Sequence, residues 1–153
     1  MLMKGSIRFT PPDYILVFVV LEMTFHYFFP INRLVYSPYI YLGIPLILFG
    51  VYLNFIWVYL TFKKEKTTVR PYTTPNKLVT YGAFGVTRNP TYLGMGLMLL
   101  GISILLGSVI TFVFPVLFIV LTNIFTIPIE EKNLEKKFGK EYLDYKKRVR
   151  RWI

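Results

Sequence analysis

The sequence predicts an all-α polytopic membrane protein with four transmembrane helices and a C-terminal amphipathic cytosolic helix. Three observations carry that prediction. Asn89 through Ile129, 41 residues, contain no charged side chain, and the run is bounded by Arg88 and Glu130. As one straight helix it would measure roughly 61 Å, twice the ~30 Å of a bilayer's hydrocarbon core, so it fits two spans folded back on each other. The 153 residues are 54% hydrophobic and only 17% charged, too apolar for an ordinary soluble globule. Finally, the basic residues gather in segments that flank apolar runs, as the loops of a membrane protein do. The chain reads as a single membrane domain over 1–153, with spans near 14–30, 39–62, 92–106 and 108–128.

Each span has a local reason. Met1 to Asp13 is short and basic (Lys4, Arg8), and Pro11-Pro12 blocks an earlier helix start. Tyr14 to Phe29 is the first apolar run. No small-x-small cleavage site follows it, so a retained helix is expected rather than a signal peptide. It carries Glu22 and His26, four apart and on one face; a mutually satisfied pair, or contact with headgroups, is the reading favoured over a functional one. Asn32 to Pro38 forms a short loop with one basic residue, Arg33. Tyr39 to Phe62 is the second span. Its Gly43 and Gly50 suit close helix packing, and Asn54 suits a bond to a neighbouring helix.

Lys63 to Thr87 is a polar loop rich in Thr, Pro and Lys. Tyr92 to Leu106 and Ser108 to Ile127 are spans three and four, with the turn at Leu106-Gly107-Ser108. Gly94, Gly101 and Ser108 repeat every seven residues and predict a small-residue seam along this hairpin. Pro115 is placed to kink span four, and Pro128 to end or bend it. After Glu130, residues Leu134, Phe138, Tyr142, Tyr145, Val149 and Trp152 recur at helical steps between lysines and arginines. That pattern predicts an amphipathic helix in the headgroup plane, with a break at Gly139.

Charge and composition narrow the function. Of the 18 Lys and Arg residues, all but Arg33 fall on one side of a four-span arrangement. By the positive-inside rule both termini and the large loop are cytosolic, in the cell membrane. The net charge of +10 therefore suits anionic lipid headgroups and not nucleic acid. The twelve Tyr suit membrane interfaces. With no Cys and one His, disulfides, thiol catalysis, S-acylation and multi-His metal sites are excluded, and no metal is expected.

The hairpin returns Arg88-Asn89-Pro90 and Glu130-Glu131 to one membrane face, and this meeting point is the candidate active site, with Arg88, Glu130 and Glu131 as catalytic candidates. A salt bridge between Arg88 and Glu130 that only fastens the hairpin is the structural alternative. Thr122, Asn123, Thr126 and Glu130 fall at helical spacing and suggest a polar flank lining a cavity. Adjacent helical residues point about 100° apart, so Glu130 and Glu131 are not expected to share a role. If the acceptor must lose a proton, Glu131 or Glu22 is the candidate base, provided that it faces the cavity.

The stretch Leu78-Val79-Thr80-Tyr81-Gly82-Ala83-Phe84 through Arg88-Asn89-Pro90-Thr91-Tyr92-Leu93-Gly94 resembles the L-V-T-x-G-P-Y-x-x-x-R-[HN]-P-x-Y-x-G signature of integral-membrane methyltransferases. That superfamily holds isoprenylcysteine carboxyl methyltransferase and the phospholipid methyltransferases. A second signature, E-E-x-x-L-x-x-x-F-G-x-x-Y-x-x-Y, is matched by Glu130, Glu131, Leu134, Phe138, Gly139, Tyr142 and Tyr145. The resemblance covers about residues 67–152. It implies S-adenosylmethionine as cofactor in a cytosol-facing pocket without a Rossmann sheet. The cofactor-lining positions it implies are Asn76, Lys77, Leu78, Val79, Phe84, Asn89, Pro90, Thr91, Tyr92 and Glu130. A carboxylate such as Glu130 suits a cationic cofactor, and Arg88 suits an anionic group.

Departures from the signature matter as well. Ala83 and Phe84 replace the common Pro and Tyr, and Asn89 the His of prenylcysteine-methylating members. Thr126 stands where those members carry an arginine that clamps the substrate carboxylate. The resemblance therefore implies a lipidic or small hydrophobic acceptor, methylated on oxygen or nitrogen, with membrane lipids as surroundings. A sterol-reductase-like enzyme using NADPH and a non-enzymatic membrane scaffold or transporter are the alternatives.

Overall fold

The computed structural model describes residues 11–29, 31–65 and 75–153. The basic start with Lys4 and Arg8, Pro30, and residues 66–74 of the polar loop lie outside the described residues. Among those described the chain is helical and has no strand, only an isolated bridge between Arg33 and Ser108. The elements are α1 (Pro11–Phe28), α2 (Tyr39–Lys64), the single turn α3 (Ala83–Val86), α4 (Pro90–Leu106), α5 (Val109–Phe138) and α6 (Lys140–Arg148).

Helices α2 and α5 are each long and apolar enough to cross a membrane, with mean hydropathy 1.9 and 2.3. Of their most apolar stretches only 17% and 33% is buried, unlike the core helix of a soluble protein. Leu48, Phe55, Val116, Ile124 and Phe125 accordingly stand exposed on them. Helix α4 is apolar but shorter, at 17 residues.

A small-residue seam exists, but it does not lie along the α4–α5 hairpin as the heptad of glycines suggested. It joins α4 to α2, which run antiparallel with Gly43 against Gly101 and Gly50 against Gly94. A Cβ on Gly101 would come within 2.6 Å of the Gly43 carbonyl oxygen, and one on Gly50 within 2.5 Å of the Gly94 oxygen. Two backbones this close leave room only for hydrogen at these positions. Asn54 sits in the same seam and donates to the Gly50 carbonyl at 3.1 Å.

The other face of α4 meets α1 and α5 in a core of Tyr92, Met95, Leu99, Phe118 and Ile127. Edge-on ring pairs, Phe18–Phe118 at 5.5 Å and Phe25–Phe114 at 5.3 Å, fasten α1 to α5. Glu22 and His26 do not pair with each other. Glu22, fully buried, receives the Ser103 hydroxyl at 3.0 Å, and His26 Nδ1 lies 2.7 Å from Ser108 Oγ. Both residues thus join α1 to the hairpin near its turn, each through a different hydroxyl.

The turn falls where the sequence put it. Gly107 takes φ 71°, a left-handed conformation that ends α4 and that a β-carbon disfavours. Its carbonyl accepts Leu34 N–H at 2.7 Å, and Val109 N–H donates to Asn32 at 3.1 Å, so the 32–35 loop seals the turn. Pro128 does not end α5, which continues to Phe138. The ring removes the N–H that would bond residue 124, and a widened π turn at Thr122–Thr126 absorbs the change. The break comes at Gly139, φ 51°, after which α6 turns away.

Gly101→Ala should destabilise the protein by about 1–3 kcal/mol, because its neighbours are backbone atoms that cannot yield. Gly85→Ala, whose new carbon meets only Thr80 O at 3.6 Å, should be neutral within about 0.5 kcal/mol. Thermal unfolding of the two variants in detergent checks the contrast.

Candidate active site

Because α4 and α5 run antiparallel from the Gly107 turn, their far ends meet at Arg88–Tyr92 and Glu130–Glu131. The pairing there differs from the Arg88–Glu130 bridge that was the structural alternative. Arg88 Nη2 lies 2.9 Å from Glu131 Oε1, and the two side chains are only 9% and 7% exposed. Glu130 instead accepts the Tyr92 hydroxyl at 2.9 Å. The cause is helical phase: one residue along α5 rotates the side chain by about 100°, so only one of the two carboxylates can face Arg88.

The carboxylates therefore sit in opposite electrostatic surroundings. Glu131 is held by two guanidiniums and an ammonium: Arg88, Arg151 (Nη2 at 2.8 Å and Nε at 3.3 Å) and Lys146 at 3.9 Å. A forked arginine contact of this kind fixes orientation as well as charge. Glu130 has no salt bridge among the described residues; a neutral phenol is the partner of its Oε1. Partial burial disfavours the charged form of such a carboxylate, and a cation brought beside it would offset that cost.

The C-terminal end of the chain builds the rest. Arg88 N–H donates to the Arg150 carbonyl at 3.0 Å, and the Arg151 carbonyl accepts both Thr87 Oγ1 and Asn89 Nδ2 at 3.0 Å. Arg88 Nη1 donates to the Lys146 carbonyl at 3.1 Å, and its Nε is buried without a hydrogen bond. Asn123 Oδ1 receives Arg151 Nη1 at 3.1 Å and Trp152 Nε1 at 3.2 Å. The polar flank expected on α5 is thus divided. Asn123 faces the C-terminal tail, while Thr122 bonds back to the Phe118 carbonyl at 2.8 Å.

The remaining expected positions lie around this centre. Pro90 opens α4 and is buried together with Asn89 and Tyr92, and Thr91 is half-buried. Phe84 packs edge-on against Phe62 at 5.3 Å, and its carbonyl accepts the Tyr145 hydroxyl at 2.6 Å. Val79 is buried and Leu78 half-buried, whereas Asn76 and Lys77 are exposed, with Lys77 3.8 Å from Glu65. Thr126 is half-buried one turn before Glu130. Glu22 is not part of the centre: its partner Ser103 lies eleven residues beyond Tyr92, roughly 16 Å along α4. Arg151, Lys146 and Tyr145 were not singled out by their chemistry in the sequence, where the tail's regular basic spacing reads as headgroup contact. The signal that points to Arg151 is indirect: a carboxylate buried beside Arg88 needs further cations.

Two comparisons bear on this arrangement. The profile of a family described as phospholipid methyltransferase matches residues 38–141. The chain is also 44% identical over 62 residues, 40% of its length and 98% of the relative's, to a Haemophilus influenzae protein described only as uncharacterized. No solved structure matches the chain.

Burial, and next the Glu131 carboxylate, push the Tyr142 phenol from 10.0 up to about 12. The unfolded chain releases that proton at lower pH than the folded one does. Tyr142's neutral form therefore contributes fully below pH 10.0, and its contribution is lost as pH rises toward about 12. Denaturant titrations at a series of alkaline pH values should show a flatter decline for Tyr142→Phe than for the wild type.

Proposed function

Because this chain belongs to the phospholipid methyltransferase family, a family of membrane methyltransferases, we propose that it is an integral-membrane methyltransferase dependent on S-adenosylmethionine. Its acceptor is a lipid or a small hydrophobic molecule. The chain forms one domain that crosses the membrane four times, through α1, α2, α4 and the first part of α5, with both termini and the active site on the cytosolic face. The supporting observation is the contrast between two neighbouring carboxylates: among the described residues Glu131 is surrounded by cations and Glu130 has no salt bridge.

That contrast is the fit to the cofactor. S-adenosylmethionine carries a sulfonium and an ammonium, and when bound it supplies an electrophilic methyl group for in-line transfer. Glu130 offers a carboxylate to either cation, which would in turn favour its charged form. Tyr92, by donating to Glu130, holds one carboxylate oxygen in place and leaves the other for the ligand. Asn76, Lys77, Leu78, Val79, Phe84, Asn89, Pro90 and Thr91 complete the proposed lining. Arg88 and Glu131, bound to each other, hold the Thr87–Asn89 turn in register with α5 and do not exchange protons with substrate. The chain's main contribution to rate is alignment of acceptor and methyl with exclusion of water.

Thr126 brings no charge to the acceptor side, which suits a substrate without a carboxylate to clamp. The family match supports methyl transfer over the nicotinamide-dependent and scaffold readings.

Calorimetric titration of the purified protein should show binding of S-adenosylhomocysteine and none of NADPH. Glu130→Gln removes the charge and keeps the shape, and should weaken binding of S-adenosylmethionine, which carries both cations, by about thirtyfold or more. A wild-type protein that does not bind S-adenosylhomocysteine would overturn the proposal. Radiolabelled methyl transfer to a native lipid extract should mark a lipid-soluble product.

A further inference from the structure

The tail of the chain lies beyond the residues that the family profile matches, which end at 141. It nevertheless bonds to the candidate site from both sides. Within three residues, Arg150 and Arg151 supply carbonyls to Arg88 N–H, Thr87 Oγ1 and Asn89 Nδ2. Arg151's guanidinium forks onto Glu131 and reaches Asn123, and the Trp152 indole donates to Asn123 while packing on the α4–α5 core. The tail is thus bonded on one side to the turn that precedes α4 and on the other to α5.

We infer that Arg151 is a positioning residue: acting through Glu131, it straps the Thr87–Asn89 turn to α5 and so sets the site that opens onto Glu130. The strap works by division of charge. Glu131 lies one residue from Glu130 and about 100° around the helix. With Arg88 on one oxygen and only Lys146, at 3.9 Å, near the other, it would be a buried carboxylate with spare acceptor capacity, able to turn toward a cationic ligand in competition with Glu130. Arg151 occupies both Glu131 oxygens and removes that competition. Its own carbonyl simultaneously fixes the Asn89 amide, so one residue controls the charge on α5 and the conformation of the turn.

The strap is a property of the chain alone; only its consequence for ligand affinity rests on the methyltransferase reading. Two measurements on the full-length protein separate the two. Amide hydrogen exchange without ligand should show faster exchange over residues 87–92 in Arg151→Met than in the wild type. Exchange around the Gly107 turn should not change. Titration with S-adenosylhomocysteine should show affinity falling about tenfold in Arg151→Met and by less in Arg151→Lys, which keeps the charge and loses the fork. In a Glu131→Gln background the same Arg151→Met substitution should change affinity by less than about twofold, as expected of residues acting through one contact.

Unchanged exchange over 87–92 in Arg151→Met, or an equal affinity loss in both backgrounds, would overturn the inference. If Arg151→Met does not fold, Arg151→Lys carries the same exchange and coupling tests. A wild type that binds no S-adenosylhomocysteine overturns the methyltransferase reading instead, and the exchange result still decides whether the strap exists.

Discussion

One buried carboxylate joins three pieces of this chain that are far apart in sequence. Glu131, on α5, holds Arg88 from the turn before α4 and Arg151 from the C-terminal tail, with Lys146 of α6 at the rim. Burying such a group is costly unless opposite charges and hydrogen bonds compensate it. Here the compensation comes from segments that could each lie elsewhere, so satisfying Glu131 selects one relative placement of all three. Breaking such a cluster by removing one partner typically costs about 3–5 kcal/mol, because the charge left behind stays buried. The ion cluster is therefore evidence about geometry more than about net stability.

The geometry that it enforces reaches the site through the next residue. Glu130 shares the backbone of Glu131 but accepts the Tyr92 hydroxyl and, among the described residues, forms no salt bridge. A helix turns two adjacent, chemically identical side chains into two different devices, one a structural tie and one, on the proposed reading, an acceptor of positive charge. On the proposed reading, a site that must settle a cationic reagent beside lipid gains from this division. The close approach of α2 to α4 through paired glycines supplies the rigid partner against which the second device is held.

Much of this was legible in the sequence, and for physical reasons. An uncharged run too long for one crossing has to double back, and the glycine in its middle marks where, because the turn needs a left-handed residue. The neighbourhood of Arg88 and Glu130-Glu131 follows from that doubling. What did not follow was rotational phase. Spacing placed both carboxylates at the meeting point but could not say which one faced Arg88. Phase also misdirected the glycine heptad of α4, which faces α2 and not its hairpin partner. Whether Pro128 ends or bends the helix stayed open because the widened turn beside it has no composition of its own. The tail's arginines escaped notice because Arg151 has the same chemistry as its exposed neighbours and differs only in what it meets. The Glu22–His26 spacing suggested a pair, whereas hydroxyls on the hairpin claim each side chain separately.

The central claim is that the doubled-back apolar run brings the two polar ends to the same membrane face. The natural absence of cysteine makes this directly measurable, since single cysteines placed at Val86, Lys132 and Leu34 are the only thiols to label. Reaction of each variant with a membrane-impermeant maleimide, in sealed vesicles and in vesicles opened by detergent, gives the side of each position. The account predicts that positions 86 and 132 react from one side and position 34 from the other. Labelling of 86 and 132 from opposite sides would contradict it.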